Sequence, residues 1–301
     1  MAEVLLKVKN LSTLFRTEGG VVKAVDNISF EVRAGETFAL VGESGCGKSV
    51  TALSIMRLIP TPPGEITSGT VEFDGIDLLK LRNREMRAIR GSKIGMIFQE
   101  PMSSLNPVLT IQSQLAEPLK IHMKLSSGAA NDRAEELVNM VGIPDARARL
   151  QQYPHELSGG QRQRIMIAMA MSCAPRLLIA DEATTALDVT IQAQILDLMQ
   201  DVTEQSGTSL LIITHNLGIV ARYADRVAVM YAGKLREVSD ASDMYAEPQH
   251  PYTVGLLNSA PRWDQGEEDL QAIDGQPPDL LDLPSGCSFN PRCQFVEDDC
   301  R

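Results

Sequence analysis

Several short runs along the chain are apolar without interruption: Phe38–Val41, Leu177–Ala180, Leu210–Ile213 and Val227–Met230. Successive side chains of a strand point to opposite faces, so an unbroken apolar run belongs to a strand covered on both sides, as in a parallel sheet flanked by helices. Helix-like or long segments separate the runs, which predicts an α/β sheet. The stretch up to about Val32 reads differently. There, Val4–Val8 and Ile28–Val32 predict antiparallel edge strands joined through a Gly19-Gly20 turn. Ile94–Phe98 is a further strand-like run. From about Glu100 to Leu157 the pattern is mostly helical, with Asn131 predicted to cap a helix that reaches Val141 and Gly142 just past its end. From about Arg236 the composition shifts, and residues 261–301 hold five prolines, many acids and a group of cysteines, as in an appended segment. There is no internal repeat and no heptad pattern.

Composition narrows the function classes. With 301 residues and 44% hydrophobic content the chain can bury one large core or two modest ones. A formal net charge of −11 argues against a free basic surface for nucleic-acid backbones. No stretch approaches the roughly 18–20 apolar residues of a membrane span. The best stretch, Ile165 to Ala183, is broken by Pro175, Arg176, Asp181 and Glu182. The charged opening MAEVLLKVKN lacks the apolar core of a signal peptide, so a soluble, cytoplasmic chain is expected. Of five cysteines, Cys46 and Cys173 lie in the body and Cys287, Cys293 and Cys300 crowd the last fifteen residues. An odd count in an unsecreted chain argues against a disulfide framework.

Gly42-Glu43-Ser44-Gly45-Cys46-Gly47-Lys48-Ser49 fits G-x-x-x-x-G-K-[ST] between a strand and a helical pattern (Val50, Leu53, Met56, Ile59). In that context the glycines let backbone N–H groups converge on phosphate oxygens, where a helix N-terminus adds partial positive charge. Residues Gly42 through Val50 are therefore expected to bind a nucleotide, with Lys48 reaching the β- and γ-phosphates and Ser49 ligating Mg²⁺. Cys46 occupies a position the loop does not constrain and is read as filler. Leu177–Asp181 is an apolar strand ending in a carboxylate and followed by Glu182. Asp181 suits Mg²⁺, and Glu182 suits a general base for an attacking water.

Leu157-Ser158-Gly159-Gly160-Gln161 opens an amphipathic helix, which makes Ser158, Gly159, Gly160 and Gln161 a second anion site. With this signature the sequence resembles the nucleotide-binding domains of ABC transporters. The resemblance implies that the second site faces the γ-phosphate held by an opposite subunit, so that hydrolysis depends on dimerisation. It also implies that Gln99 senses Mg²⁺ and water, that Asp188 in Thr185-Ala186-Leu187-Asp188 belongs to the D-loop, and that His215 contacts the γ-phosphate. Phe15 becomes the aromatic expected to stack on adenine. The implied fold is a P-loop NTPase of the ABC type with an antiparallel β part. Residues 1–99 and 158–235 are expected to form the ATP-binding core, 100–157 an inserted helical subdomain, and 236–301 a C-terminal extension.

The resemblance narrows further. Gln99-Glu100-Pro101-Met102-Ser103-Ser104-Leu105-Asn106-Pro107, His250-Pro251-Tyr252-Thr253 and Gly286-Cys287-Ser288-Phe289-Asn290-Pro291-Arg292-Cys293 look like segments of the oligopeptide, dipeptide and nickel importer ATPases. Within that group the match is to the D-type subunit. This implies an ATPase at the cytoplasmic face of the inner membrane, working with a distinct F-type ATPase, two permease subunits and an extracytoplasmic solute-binding protein, and with no nucleic acid. The segment Gln99–Pro107 is expected to meet the permease. Ala183 stands where the family usually has proline, which can loosen the turn that orients Glu182, and Asn216 stands where it usually has aspartate.

Two other readings stay open at the level of sequence. One is a subunit that binds ATP structurally while its partner hydrolyses it, although Glu182, His215 and the signature are all present. The other is a non-transport ABC ATPase, although the single cassette, acidic balance and absence of a coiled coil speak against it. The C-terminal Cys287, Cys293 and Cys300 fall at C-x₅-C-x₆-C in a segment rich in proline and glycine. Thiolates so placed can converge on a soft metal, and the wide spacing tilts the expectation from zinc to a [4Fe–4S] cluster. The related importer subunits carry a similar Cys-rich tail, usually with a fourth cysteine, which here is missing or lies beyond Arg301.

Overall fold

The structure, a computed structural model, describes residues 3–99, 104–183, 189–259 and 272–301. It divides into two compact units, Met1–Lys80 with Ile213–Arg301 and Leu81–Ile212. The first unit opens on a long antiparallel hairpin of β1 (Val4–Thr17) and β2 (Gly20–Arg33), turning where Thr17 faces Gly20. The apolar ends of this hairpin were visible in the sequence. The strands nevertheless run 14 residues each, because several register shifts let one face keep burying Leu6, Val8, Leu11 and Thr13. After β3 (Thr37–Val41) and α1 (Lys48–Ile55), β4 (Gly64–Phe73) pairs antiparallel with β1, and the short β5 (Ile76–Asp77) completes a sheet of order β2-β1-β4-β5.

The second unit contains α2 (Asn83–Ile89), β6 (Ile94–Ile97), α3 (Ile111–His122), α4 (Ser127–Met140), α5 (Ala146–Leu150), α6 (Gly159–Met171), β7 (Leu177–Asp181) and α7 (Val189–Ser206). β6 and β7 pair in parallel, as the unbroken apolar character of Leu177–Ala180 predicts. Helix α4 starts earlier than Asn131: Ser126 is the N-cap, its hydroxyl accepting the Ala129 N–H at 3.3 Å. The reason is the buried stripe Ala130, Ala134, Leu137 and Val138, which begins one residue before Asn131 and needs a turn of helix ahead of it. Gly142, at φ +68°, lies just past the helix end. Among the described residues no helix is long and apolar enough to cross a membrane.

Strand β8 (Ser209–Thr214) crosses the boundary between the units along the chain and leads to α8 (Leu217–Tyr223). In the first unit β9 (Arg226–Tyr231) lies parallel to β3 and antiparallel to β10 (Lys234–Asp240), and α9 (Ala241–Ala246) and α10 (Pro251–Asn258) follow. The C-terminal segment is built into this unit's core and not merely appended to it. Tyr231 of β9, Tyr252 of α10 and Phe289 pack as an aromatic triad with ring centroids 4.5 to 5.4 Å apart, amid Ala39, Val41, Val229 and Leu257. Such pairs add about 0.5–1.5 kcal/mol beyond the area they bury.

Candidate functional site

The glycine-rich loop leaves β3 and enters α1 through a gap with no room for side chains at two positions. Gly42 has φ +152°, and a Cβ there would sit 2.1 Å from the Met230 carbonyl oxygen. Gly47 has φ +111°, and a Cβ there would sit 2.1 Å from the Ala24 oxygen. Both are positions where only glycine lets the backbone pass. Ser44 and Gly45 at the crest are exposed, while Lys48 is only 4% exposed. The Lys48 ammonium donates to the Gly42 oxygen at 2.8 Å and the Glu43 oxygen at 3.0 Å, which holds a cation inside the loop. Burial pushes the Cys46 thiol up, so it is a poor thiolate, in keeping with its reading as filler.

Beside the loop lies a cavity of about 370 Å³, lined by Val22, Glu43 to Cys46, Tyr231 and the C-terminal Pro277 to Leu281. Val22 sits opposite Phe15 in the β1–β2 register. Residues directly opposite in an antiparallel pair share a face, so Phe15 is on the face that meets the loop. At the end of β8, His215 is exposed. Asn216 caps α8, its side-chain oxygen accepting the Gly218 N–H at 2.9 Å, a task that aspartate would perform equally.

In the second unit Asp181 ends β7 at 5% exposure. Glu182 follows at φ +46°, in the left-handed region that costs a non-glycine residue about 1–3 kcal/mol. Its carboxylate accepts a hydrogen bond from the Gln99 amide at 2.9 Å, so two of the expected catalytic groups meet. The next residue supplies a contact that sequence reading missed. Gln163, fully buried on α6, donates its amide to the Ala183 carbonyl. The helix opened by the signature thus holds the backbone directly after Glu182 through a carbonyl that alanine and proline present alike. Loss of this contact in Gln163→Leu is expected to lower turnover on the order of 10- to 100-fold with a smaller change in ATP affinity, read from kcat and KM. Unchanged turnover would show that the turn holds itself.

The signature forms a reciprocal cap. Ser158 accepts from the Gln161 N–H at 3.3 Å, and the Gln161 side chain accepts from the Ser158 N–H at 3.0 Å. Ser158 and Gly159 are exposed at the start of the 13-residue α6, where backbone N–H groups suit an anion. Asp188 lies outside the described residues, as do Glu100 to Ser103 of the expected permease-facing segment. The remainder of that segment is folded by Gln114, whose amide takes the Asn106 N–H at 2.8 Å and donates to the Asn106 and Leu109 carbonyls. Beyond it Val108 is 76% exposed.

Ser49 in the first unit, and Gln99 and Asp181 in the second, each carry a hard oxygen of the kind that Mg²⁺ takes. The cysteine tail does not fit its expected cluster. Among the described residues no group of three or more His, Cys, Asp or Glu side chains could hold a metal ion. Cys287 and Cys293 instead pack against the apolar cluster around Tyr231, and the Cys287 N–H donates to the Cys300 carbonyl at 2.9 Å. Physically, the aromatic core around Phe289 already organises this segment without a metal.

Family models and known proteins match this chain along most of its length. Residues 25–185 match the ABC transporter family, and residues 237–300 match the C-terminal region of oligopeptide/dipeptide transporters. The chain is 55% identical over 291 residues to the dipeptide transport ATP-binding protein DppD of Bacillus subtilis, covering 97% of this chain and 87% of that protein. It is 53% identical over 293 residues to the oligopeptide transport ATP-binding protein OppD of the same organism, covering 97% and 82%. Among solved structures, a dimeric ATP-binding cassette in a post-hydrolysis state bound to ADP and Pi has a TM-score of 0.70 at 28% identity, over 78% of this chain and 98% of that one. The α/β architecture with its antiparallel β part is that of such cassettes.

Proposed function

The chain belongs to the ABC transporter family of ATP-binding proteins, and from that premise we propose that it hydrolyses ATP to power the import of peptides across a membrane. The observation that carries this reading is the continuous likeness to peptide-import ATPases, which runs through the cassette and on into the C-terminal region. Within the reading each group has a task. The loop Gly42–Val50 holds the phosphates, Lys48 neutralises the β- and γ-phosphate oxygens, and Phe15 stacks on adenine. Ser49, Asp181 and Gln99 would hold Mg²⁺, which when bound neutralises charge on the phosphate oxygens. Glu182 takes the proton of the attacking water, Gln99 holds the Glu182 carboxylate in place, and His215 contacts the γ-phosphate.

The exposed Ser158 and Gly159 meet the nucleotide of a second ATPase subunit, which we assign to a distinct F-type paralogue, with Asp188 at the same junction. Residues 100–157 act as the helical subdomain that carries the motion to two permease subunits at the cytoplasmic face of the inner membrane. The exposed Val108 gives that subdomain apolar surface to offer. An extracytoplasmic binding protein supplies the solute. The iron–sulfur reading of the tail rests on cysteine spacing and on the similar tails of related subunits, and no metal-holding group among the described residues supports it. Iron and acid-labile sulfide measured on anaerobically purified chain decide it, and absence of both removes it.

Reconstitution with the permease and binding protein tests the function. Peptides are expected to stimulate ATP hydrolysis severalfold over the unloaded complex. A complex stimulated by a non-peptide solute and indifferent to peptides would overturn the assignment.

A further inference from the structure

The C-terminal extension does more than complete the core, because two of its side chains take hold of a single residue of the phosphate loop. Helix α10 begins at Pro251 and is capped by His250, whose Nδ1 accepts the Tyr252 N–H at 3.0 Å. That places the fully buried Tyr252 in the first turn, where its hydroxyl accepts the Glu43 backbone N–H at 2.9 Å. Arg292 then takes the Glu43 side chain. Its Nη1 donates to Glu43 Oε2 at 2.8 Å and its Nη2 to Glu43 Oε1 at 3.1 Å, the paired geometry in which a guanidinium matches a carboxylate best.

The guanidinium is itself fixed before it reaches Glu43. Nε donates to the Asp274 carbonyl at 2.9 Å, Nη2 to the Ile273 carbonyl at 3.3 Å and Nη1 to the Tyr231 hydroxyl at 3.3 Å. The Arg292 side chain is 5% exposed and that of Glu43 27%, so water screens the pair much less than a surface ion pair. Burial opposes the charged guanidinium, yet the bonds to Glu43 and Tyr231 outweigh it and raise its pKa above the ordinary arginine value. Position 43 is one that the loop motif leaves open, and nothing in phosphate chemistry demands a carboxylate there. The extension does demand one, since an uncharged residue would leave a buried guanidinium without its counter-charge.

We propose that Arg292 is a positioning residue for nucleotide capture: together with Tyr252 it fixes Glu43, and through it the first half of the phosphate loop, from the C-terminal extension. A loop that must direct several N–H groups at one ligand loses affinity in proportion to the freedom it gives up on binding. Holding Glu43 at both backbone and carboxylate removes part of that freedom before ATP arrives. The Glu43 carbonyl is also one of the two that hold the Lys48 ammonium, so the grip extends to the catalytic cation. The cavity beside the loop has the extension's Pro277 to Leu281 as a wall, which places the same extension next to the crest of the phosphate loop.

The inference rests on the ATPase reading, and the experiment separates the two. ATP affinity of the full-length chain is measured with a fluorescent ATP analogue, and KM and kcat are measured in the assembled transporter, for wild type, Arg292→Lys, Arg292→Met, Glu43→Gln and the double variant Arg292→Met/Glu43→Gln. Melting temperature is followed in parallel. Arg292→Met and Glu43→Gln are each expected to weaken ATP binding about tenfold, with the loss falling on KM more than on kcat. Arg292→Lys should recover part of it, and the double variant should be no worse than the poorer single one. Variants that melt earlier but bind ATP as wild type does would reduce Arg292 to a docking contact and overturn the inference, as would strictly additive losses. If Arg292→Met does not fold, Glu43→Gln carries the test from the loop side, where the aromatic core is untouched. A wild-type chain that binds no ATP would overturn the ATPase reading instead.

Discussion

Lys48→Ala is expected to abolish ATP hydrolysis and to weaken ATP binding severely while leaving the fold intact. The Lys48 ammonium makes hydrogen bonds of 2.8 and 3.0 Å to two carbonyls of its own loop, and its side chain is almost fully buried. It is therefore held inside the glycine-rich loop, and in the proposed function it brings the positive charge that the β- and γ-oxygens require. The loop itself is shaped by other contacts: the tight passage of Gly42 and Gly47 and the Tyr252 and Arg292 bonds to Glu43. Alanine is also the residue best suited to the start of α1 on helix propensity. Circular dichroism and melting temperature should thus stay near wild type while the assembled complex shows no turnover above background. Near-normal turnover would overturn the role assigned to Lys48.

Such a prediction is possible from sequence because the phosphate loop is local. Strand, glycines, lysine and helix follow one another in a few residues, and steric demands at Gly42 and Gly47 leave no alternative side chain. The strand ending in Asp181 was legible for the same reason, since an unbroken apolar run has only one comfortable place in an α/β sheet. The meeting of Gln99 with Glu182 joins residues 83 positions apart; the family resemblance singled out Gln99 without naming that contact. Where neither locality nor resemblance helped, the sequence was silent. Strand β4 carries Ser68 and Gly69 in its middle and shows no clean alternation, because its pairing with β1 shifts register there. The true cap of α4 is Ser126, and Ala130 is too small to advertise the start of a buried stripe. Arg292 and Glu43 are 249 positions apart, and each alone looks like one more charged residue in an acidic chain. Gln163 offers no signal but its place one turn into the signature helix.

Glu182→Gln addresses the chemical step alone. The substitution keeps the side chain's size and its ability to accept the Gln99 hydrogen bond, now through an amide oxygen in place of the carboxylate oxygen at 2.9 Å. The backbone at φ +46° gains no relief, as both residues carry a Cβ. Only the charge to which the proposed function gives the water's proton is removed. A general base contributes about 10²–10⁴-fold, so turnover is expected to fall by at least ~10²-fold. Binding should survive, because the phosphate loop and Lys48 belong to the other compact unit and are unaltered. In the family's cycle ATP closes the paired cassettes and hydrolysis reopens them, so the variant should accumulate as an ATP-bound closed pair. Single-turnover hydrolysis with radiolabelled ATP, combined with the size of the ATP-loaded complex, reads both consequences. A variant that hydrolyses ATP at the normal rate would show that another group activates the water. One that fails to bind ATP would show that Glu182 supports the nucleotide site itself, and either outcome removes the carboxylate from its assigned role.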